Sequence, residues 1–241
     1  MVSFRIFPDS QSIAEKIAFC WYAQAQKAAM DKRVFSVVLS GGATASLVYR
    51  HLAQYKPMSP VIWKWVHIFW ADERCVPPEH EESNYLNIQR TFLKDIQIPK
   101  KNIHRIRGEN KPFSECLRYE KEIIDHQILK SSDDKLFDWV LLGVGSDGHT
   151  ASLFPGQDFL LGSQEMCVVV RHPVTGEKRI TLTPYALNQS SRVTYNVVGS
   201  DKADKISDLV LETSRNNRFP TDYIKGEWFL DYAAASLINF S

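Results

Sequence analysis

Asp147 and His149 stand two residues apart in the segment Gly143-Val144-Gly145-Ser146-Asp147-Gly148-His149-Thr150. An imidazole titrates near neutral pH, so it is the natural general base for chemistry at pH 7. A neighbouring carboxylate can fix the ring tautomer and stabilise its protonated form. The glycines allow a tight loop that brings both side chains into one site. The plain alternative is a helix cap, with Asp147 as the N-cap and His149 as an ordinary loop residue.

Two further clusters carry possible chemistry. Ser40-Gly41-Gly42-Ala43-Thr44 lies between a strand pattern and a helix pattern. It reads either as a simple turn or as an anion cradle, in which backbone N–H groups and the helix dipole meet a phosphate. The segment has neither the G-x-x-x-x-G-K nor the G-x-G-x-x-G spacing. Asp72-Glu73-Arg74 follows an apolar run and reads either as a solvated charged loop or as an Arg for a phosphate or developing oxyanion. Downstream, Arg179 and Lys202 are further cations that could meet an anionic substrate, or could be surface charges. No G-x-S-x-G elbow is present, which removes a serine-esterase mechanism.

The elements that must position these clusters alternate. Strand patterns are expected at Phe4–Phe7, Val34–Leu39, Val66–Trp70, Trp139–Leu142, Cys167–Val170, Arg179–Leu182, Val193–Val198 and Trp228–Leu230. Helices are expected from Ser12 to about Met30, Thr44 to Tyr55, Ser83 to Leu93, Pro112 to Leu129 and Asp201 to Glu212, with another starting near Gly148. Ser12 and Glu15 match a capping box. Continuous apolar strands between helices predict an α/β fold, a parallel sheet covered on both faces. Ligands bind beyond the carboxyl ends of such strands, so the three polar clusters should converge. No linker or repeat divides the chain, which reads as one domain over residues 1–241.

Composition narrows the function classes. Of 241 residues, 44% are hydrophobic and 24% charged, and the formal net charge of +1 gives no electrostatic case for nucleic acid or anionic lipid. Cys20, Cys75, Cys116 and Cys167 are scattered, without a C-x-x-C pair or a His at zinc-ligand spacing, and read as reduced thiols. Glu79-His80-Glu81-Glu82 reads as a solvated loop after Pro77-Pro78, so no metal is expected there. No secretory signal is visible and no apolar run is long enough to cross a bilayer, so a cytoplasmic protein is expected.

Taken in order, the blocks Leu39–Thr44, Trp70–Pro77, Ser83-Asn84-Tyr85, Gly143–Gly156, Arg179–Thr183 and Gly199–Ala203 resemble the signature blocks of 6-phosphogluconolactonases. The resemblance spans nearly the whole chain and implies a three-layer α/β/α fold with a mostly parallel, Rossmann-like central sheet. That fold is shared with glucosamine-6-phosphate deaminases. Deaminases of this type carry a Glu a few residues after Asp-Gly-His, where this chain has Phe154. The family's phosphate loop usually reads Gly-Gly-Ser-Thr-Pro. Here Ala43 removes a hydroxyl and Ala45 a helix-starting proline, while Thr44 and the backbone donors remain.

What the resemblance implies is hydrolysis of 6-phospho-D-glucono-1,5-lactone without a cofactor or metal. Gly41, Gly42, Ala43 and Thr44 would hold the phosphate, with Arg179 and Lys202 neutralising it. His149 would be the base, oriented by Asp147. Arg74 would favour the oxyanion, and Asp72 would hold Arg74 or a sugar hydroxyl. The reaction belongs to the oxidative pentose phosphate route, and a transient link to the dehydrogenases of that route fits it. The rivals are a deaminase or sugar-phosphate isomerase, or a non-catalytic sugar-phosphate sensor, which would need a DNA-binding segment not evident here.

Overall fold

The structure, a computed structural model, describes residues 3–54, 60–130, 135–157, 162–211 and 219–238. The expected helix ends at Tyr55 and Glu212 lie outside these residues. Seven strands form one parallel sheet: β1 (Ser3–Phe7), β2 (Phe35–Leu39), β3 (Val66–Trp70), β5 (Ile103–His104), β6 (Phe137–Leu142), β9 (Ser190–Val197) and β10 (Glu227–Asp231). Their order is β1-β10-β9-β6-β2-β3-β5. β2 and β6 are buried along their whole length. That is why they read as continuous apolar runs: helices cover both faces of a parallel sheet.

β2 pairs with β3 on one side and β6 on the other. The chain therefore leaves β2 toward one edge and β6 toward the opposite edge, which opens a crevice beyond their carboxyl ends. The Ser40 and Gly143 segments flank that crevice.

α1 (Ser10–Met30) buries Ile13, Ala14, Ile17, Ala18, Trp21, Tyr22, Ala25 and Ala28, one stripe at helical spacing. Trp21 meets Phe35, Phe92 and Trp139 at centroid distances of 5.7, 6.2 and 6.3 Å. The helix begins two residues before Ser12. Asp9 is its N-cap, accepting from Ser12 N–H at 2.8 Å, so Ser12 is inside the helix rather than the cap that the Ser12/Glu15 pattern suggested. A carboxylate at this position satisfies one of the free N–H groups of the first turn.

α2 (Ala43–Gln54), α3 (Pro60–Trp63), α4 (Asn84–Thr91) and α5 (Pro112–Lys130) follow. α6 (Pro184–Asn188) and α7 (Ala203–Leu211) complete the described α-helices. α5 is fixed to β3 by Tyr119, whose hydroxyl donates to Trp70 O at 2.9 Å and accepts from Trp70 N at 2.8 Å.

Two features depart from the strand and helix patterns, besides the short α3, β5 and α6, which those patterns did not mark. β4 (Asp72–Arg74), β7 (Cys167–Arg171) and β8 (Lys178–Leu182) form a separate antiparallel sheet in the order β4-β8-β7. At Ala71 the chain steps from the large sheet to this small one: Ala71 N–H donates to Leu39 O, and Ala71 O accepts from Leu182 N–H, each at 2.8 Å. Secondly, no helix starts near Gly148. The chain turns there and closes a bridge between Thr150 and Leu153.

Candidate active site

The three polar clusters converge on one cleft of about 270 Å³. Gly41, Gly42, Ala43, Thr44, Asp72, Arg74, His149, Arg179 and Lys202 all line it. Asp147 does not line it and stands behind His149.

The glycine loop after β2 ends in α2, whose first-turn N–H groups, at Ala43 to Ala45, lie at the cleft. Four N–H groups at a helix start have no partner within the helix, a setting that favours negative charge. Gly41 is required for another reason. A Cβ at this position would lie 2.0 Å from Asn84 Oδ1.

Asn84 connects the charged residues of β4. Its Nδ2 donates to Asp72 O at 2.9 Å and to Asp72 Oδ1 at 3.2 Å, while its Oδ1 accepts from an Arg74 Nη at 2.6 Å. Asp72, only 4% exposed, also accepts from Ser152 Oγ at 2.6 Å. Asp72 and Arg74 are therefore joined through Asn84, without the direct contact that was one expectation. Glu73 faces the other side of the strand. Its carboxylate accepts from Ser83 Oγ and from the N–H groups of Asn84 and Tyr85, pinning the start of α4. Burial pushes the Glu73 carboxyl up, and those N–H donors hold it partly down.

Arg74 and Arg179 are register partners across the β4/β8 ladder. Desolvation lowers the Arg179 pKa, and Arg74 lowers it further. The Nε atoms of both guanidinium groups are buried without a hydrogen-bond partner among the described residues. Lys202 reaches the cleft from the turn after β9 and pairs with Asp201 at 2.7 Å.

His149 is held from one side. Its Nδ1 lies 2.5 Å from Asp147 Oδ1, and its backbone N–H donates to the same oxygen at 3.2 Å. The His149 hydrogen bond brings the Asp147 pKa down to about 2, against partial desolvation. The carboxylate is thus ionised at neutral pH and accepts a hydrogen bond from His149 Nδ1–H, which selects the tautomer of the neutral ring whose lone pair is on Nε2. Gly145 makes this packing possible, since a Cβ there would stand 2.2 Å from His149 Nδ1. The loop is docked on the small sheet by Ser152, whose N–H donates to Thr181 Oγ1 at 3.3 Å while its hydroxyl holds Asp72. Phe154 is fully buried, 5.2 Å from the His149 ring and 5.8 Å from the Arg179 guanidinium.

Three site residues were not singled out from the sequence. Asn84 and Ser152 lie inside recognised blocks, but only the structure shows that they hold Asp72. Asn196 is the penultimate residue of β9, lines the cleft, and has a buried amide oxygen with no partner among the described residues. A polar residue between the buried apolar Tyr195 and Val197 was the available signal. No described helix is long and apolar enough to cross a membrane, and all four cysteines are free thiols.

Known proteins share both sequence and fold. Residues 8–230 match the family described as glucosamine-6-phosphate isomerases/6-phosphogluconolactonase. A 6-phosphogluconolactonase of Haemophilus influenzae is 38% identical over 239 residues, covering 96% of this chain and 98% of that protein. The crystal structure of devB protein is 34% identical with a TM-score of 0.90, covering 99% of this chain and 100% of that one. The 6-phosphogluconolactonase structure from Thermotoga maritima is 26% identical with a TM-score of 0.80, covering 96% and 100%. The chain belongs to the glucosamine-6-phosphate isomerase/6-phosphogluconolactonase family.

Proposed function

We propose that this chain hydrolyses 6-phospho-D-glucono-1,5-lactone to 6-phosphogluconate, with residues 1–241 acting as one catalytic unit. The observation that carries the reading is a cleft that holds a carboxylate-oriented imidazole together with an anion site of three cations and a helix N-terminus. The similarity to 6-phosphogluconolactonases over nearly the full chain supports the same substrate.

Substrate phosphate sits at the N-terminus of α2, against Gly41, Gly42, the Ala43 N–H and Thr44, with Arg179 and Lys202 opposing its charge. Lys202 exchanges its Asp201 contact for the phosphate. This anchor places the lactone ring over His149. His149 Nε2 takes a proton from water as the water oxygen bonds to C1, and the C1 carbonyl oxygen becomes an oxyanion beside Arg74. The tetrahedral centre collapses, the bond from C1 to the ring oxygen breaks, and the ring oxygen takes the proton back from His149. Asp147 stays ionised and stabilises the imidazolium between the two transfers. Asp72 and Asn196 accept from sugar hydroxyls. A lactone is already an activated ester, so a general base worth about 100- to 10,000-fold is sufficient.

Phe154 disfavours the deaminase reading. It provides an apolar wall beside His149 at the position where deaminases of this type carry a Glu. The lactone arises by oxidation of a sugar phosphate and the product is itself oxidised. A transient contact with the dehydrogenases of that route, in the cytoplasm, belongs to the same proposal.

The test is the loss of freshly generated lactone, coupled to 6-phosphogluconate formation, with spontaneous hydrolysis subtracted. Acceleration by the protein and its loss in His149→Ala is the expected result. No acceleration over background would overturn the lactonase reading, and ammonia release from glucosamine 6-phosphate would replace it.

A further inference from the structure

Three histidines meet at a place that the lactonase chemistry does not use. His67 is on β3, His104 on β5 and His126 on α5, and each offers a ring nitrogen within 4.8 Å of the other two. They line a groove of about 740 Å³, beside Trp65, Lys101 and Glu122, that shares no lining residue with the catalytic cleft. His67 Nδ1 is 2.9 Å from His104 Nε2. On its other side, His104 Nδ1 is 2.7 Å from Glu122 Oε1, and Arg118 holds the second Glu122 oxygen. Phe69 stacks on His104 at 4.3 Å and fixes the ring plane.

We propose that His67, His104 and His126 form a binding site for a borderline divalent transition-metal ion such as Zn2+.

The donor set suits that class of ion, because neutral imidazole is a common ligand for Zn, Cu, Fe and Ni. The Glu122 carboxylate supplies the outer contact that metal-ligating histidines usually have, fixing the His104 tautomer so that Nε2 faces the ion. Binding moves the His67 proton from Nδ1 to Nε2 and replaces the bond to His104 with two metal–nitrogen bonds. Nitrogens about 2.0–2.1 Å from a tetrahedral ion are roughly 3.3 Å apart. The 2.9 Å pair must open slightly, and the widest separation must close by about 1.5 Å, both within side-chain rotation. Lys64, Lys101, Arg107, Arg118 and Lys121 also line the groove and oppose a cation, while Glu122, paired with Arg118, and Asp125, paired with Lys121, offset them in part, so the three ring nitrogens must supply the binding. The groove provides the entry path and room for water as the fourth ligand. The ion would cross-link β3, β5 and α5.

Zn2+ titration of the full chain after chelator treatment tests this. One ion per chain at micromolar Zn2+ is expected, with tetrahedral visible absorption when Co2+ is substituted. His67→Gln and His126→Gln should each lose that uptake, Glu122→Gln should weaken it about 10- to 100-fold, and His149→Ala should bind as the natural protein does. No uptake, uptake surviving both His67→Gln and His126→Gln, or uptake lost in His149→Ala would overturn the site. If the histidine variants do not fold, anomalous scattering from a Zn2+-soaked crystal decides. A peak among the three rings supports the site, and a peak elsewhere or none refutes it.

Discussion

Arg74 on β4 and Arg179 on β8 are directly opposite each other in an antiparallel ladder, two like charges on one face of a small sheet. Such a pair is destabilising by about 0.2–1 kcal/mol in an ordinary sheet. Here Arg179 is only 9% exposed, so little water screens it. The arrangement favours an anion between or beside the two groups, and both line the cleft where the α2 N-terminus also lies.

Arg179→Met should therefore raise the apo-protein's stability, by about 0.5–1 kcal/mol, because it removes one of two facing charges. The same change should raise KM for the phosphorylated lactone about 10- to 100-fold, the equivalent of one charge-assisted hydrogen bond. Thermal unfolding without ligand, beside steady-state kinetics, reads both. A destabilised apo variant with unchanged KM would contradict the phosphate role.

Lys202→Ala should act mainly on substrate binding, since Lys202 reaches the cleft from outside the His149 loop. KM is expected to rise about 10-fold or more, with kcat within a factor of a few of the natural protein. An unchanged KM would remove Lys202 from the anion site.

The Asp147–His149 pair predicts a specific pH dependence. The folded-state pKa of Asp147 is about 2, below its ordinary 3.8. Its contribution to stability is therefore complete above about pH 5 and is lost as pH falls toward 2. The difference in Tm between the natural protein and Asp147→Asn should shrink as pH falls below about pH 4. Unfolding scans across that range check it. In the lactonase assay, Asp147→Asn should lower kcat more than it changes KM, because the ring loses its oriented tautomer.

Gly41→Ala should damage activity through a residue it does not belong to. The new Cβ would collide with Asn84 Oδ1, and Asn84 is the link between Asp72 and Arg74. Overpacking of this kind costs about 1–3 kcal/mol. We expect a folded protein with kcat/KM reduced about 10-fold or more. Full activity would mean that the Asn84 bridge does not position Arg74.

The sequence alone determined the order of the longer strands and helices, because their signals are local; β4, β5, α3 and α6, of two to five residues, are too short to carry a pattern. Apolar runs at Phe35–Leu39 and Phe137–Leu142 mark strands buried on both faces, and charged or glycine-rich segments mark their carboxyl ends. General rules for parallel sheets then brought Ser40–Thr44, Asp72–Arg74 and Gly143–His149 together, and resemblance to a family supplied the reaction. Local signals misled at two ends: the cap is Asp9 rather than Ser12, and Gly148 turns rather than starting a helix. Only the tertiary structure decided which strands pair. A strand's apolar pattern does not name its partner, so the β4-β8-β7 sheet and the facing of Arg74 with Arg179 could not be read along the chain. The same holds for Asn84 and Ser152 converging on Asp72. It holds also for His67 and His104, 37 residues apart and in hydrogen-bond contact. Long-range contacts depend on how elements pack, and packing is settled by the whole chain burying its apolar surface at once.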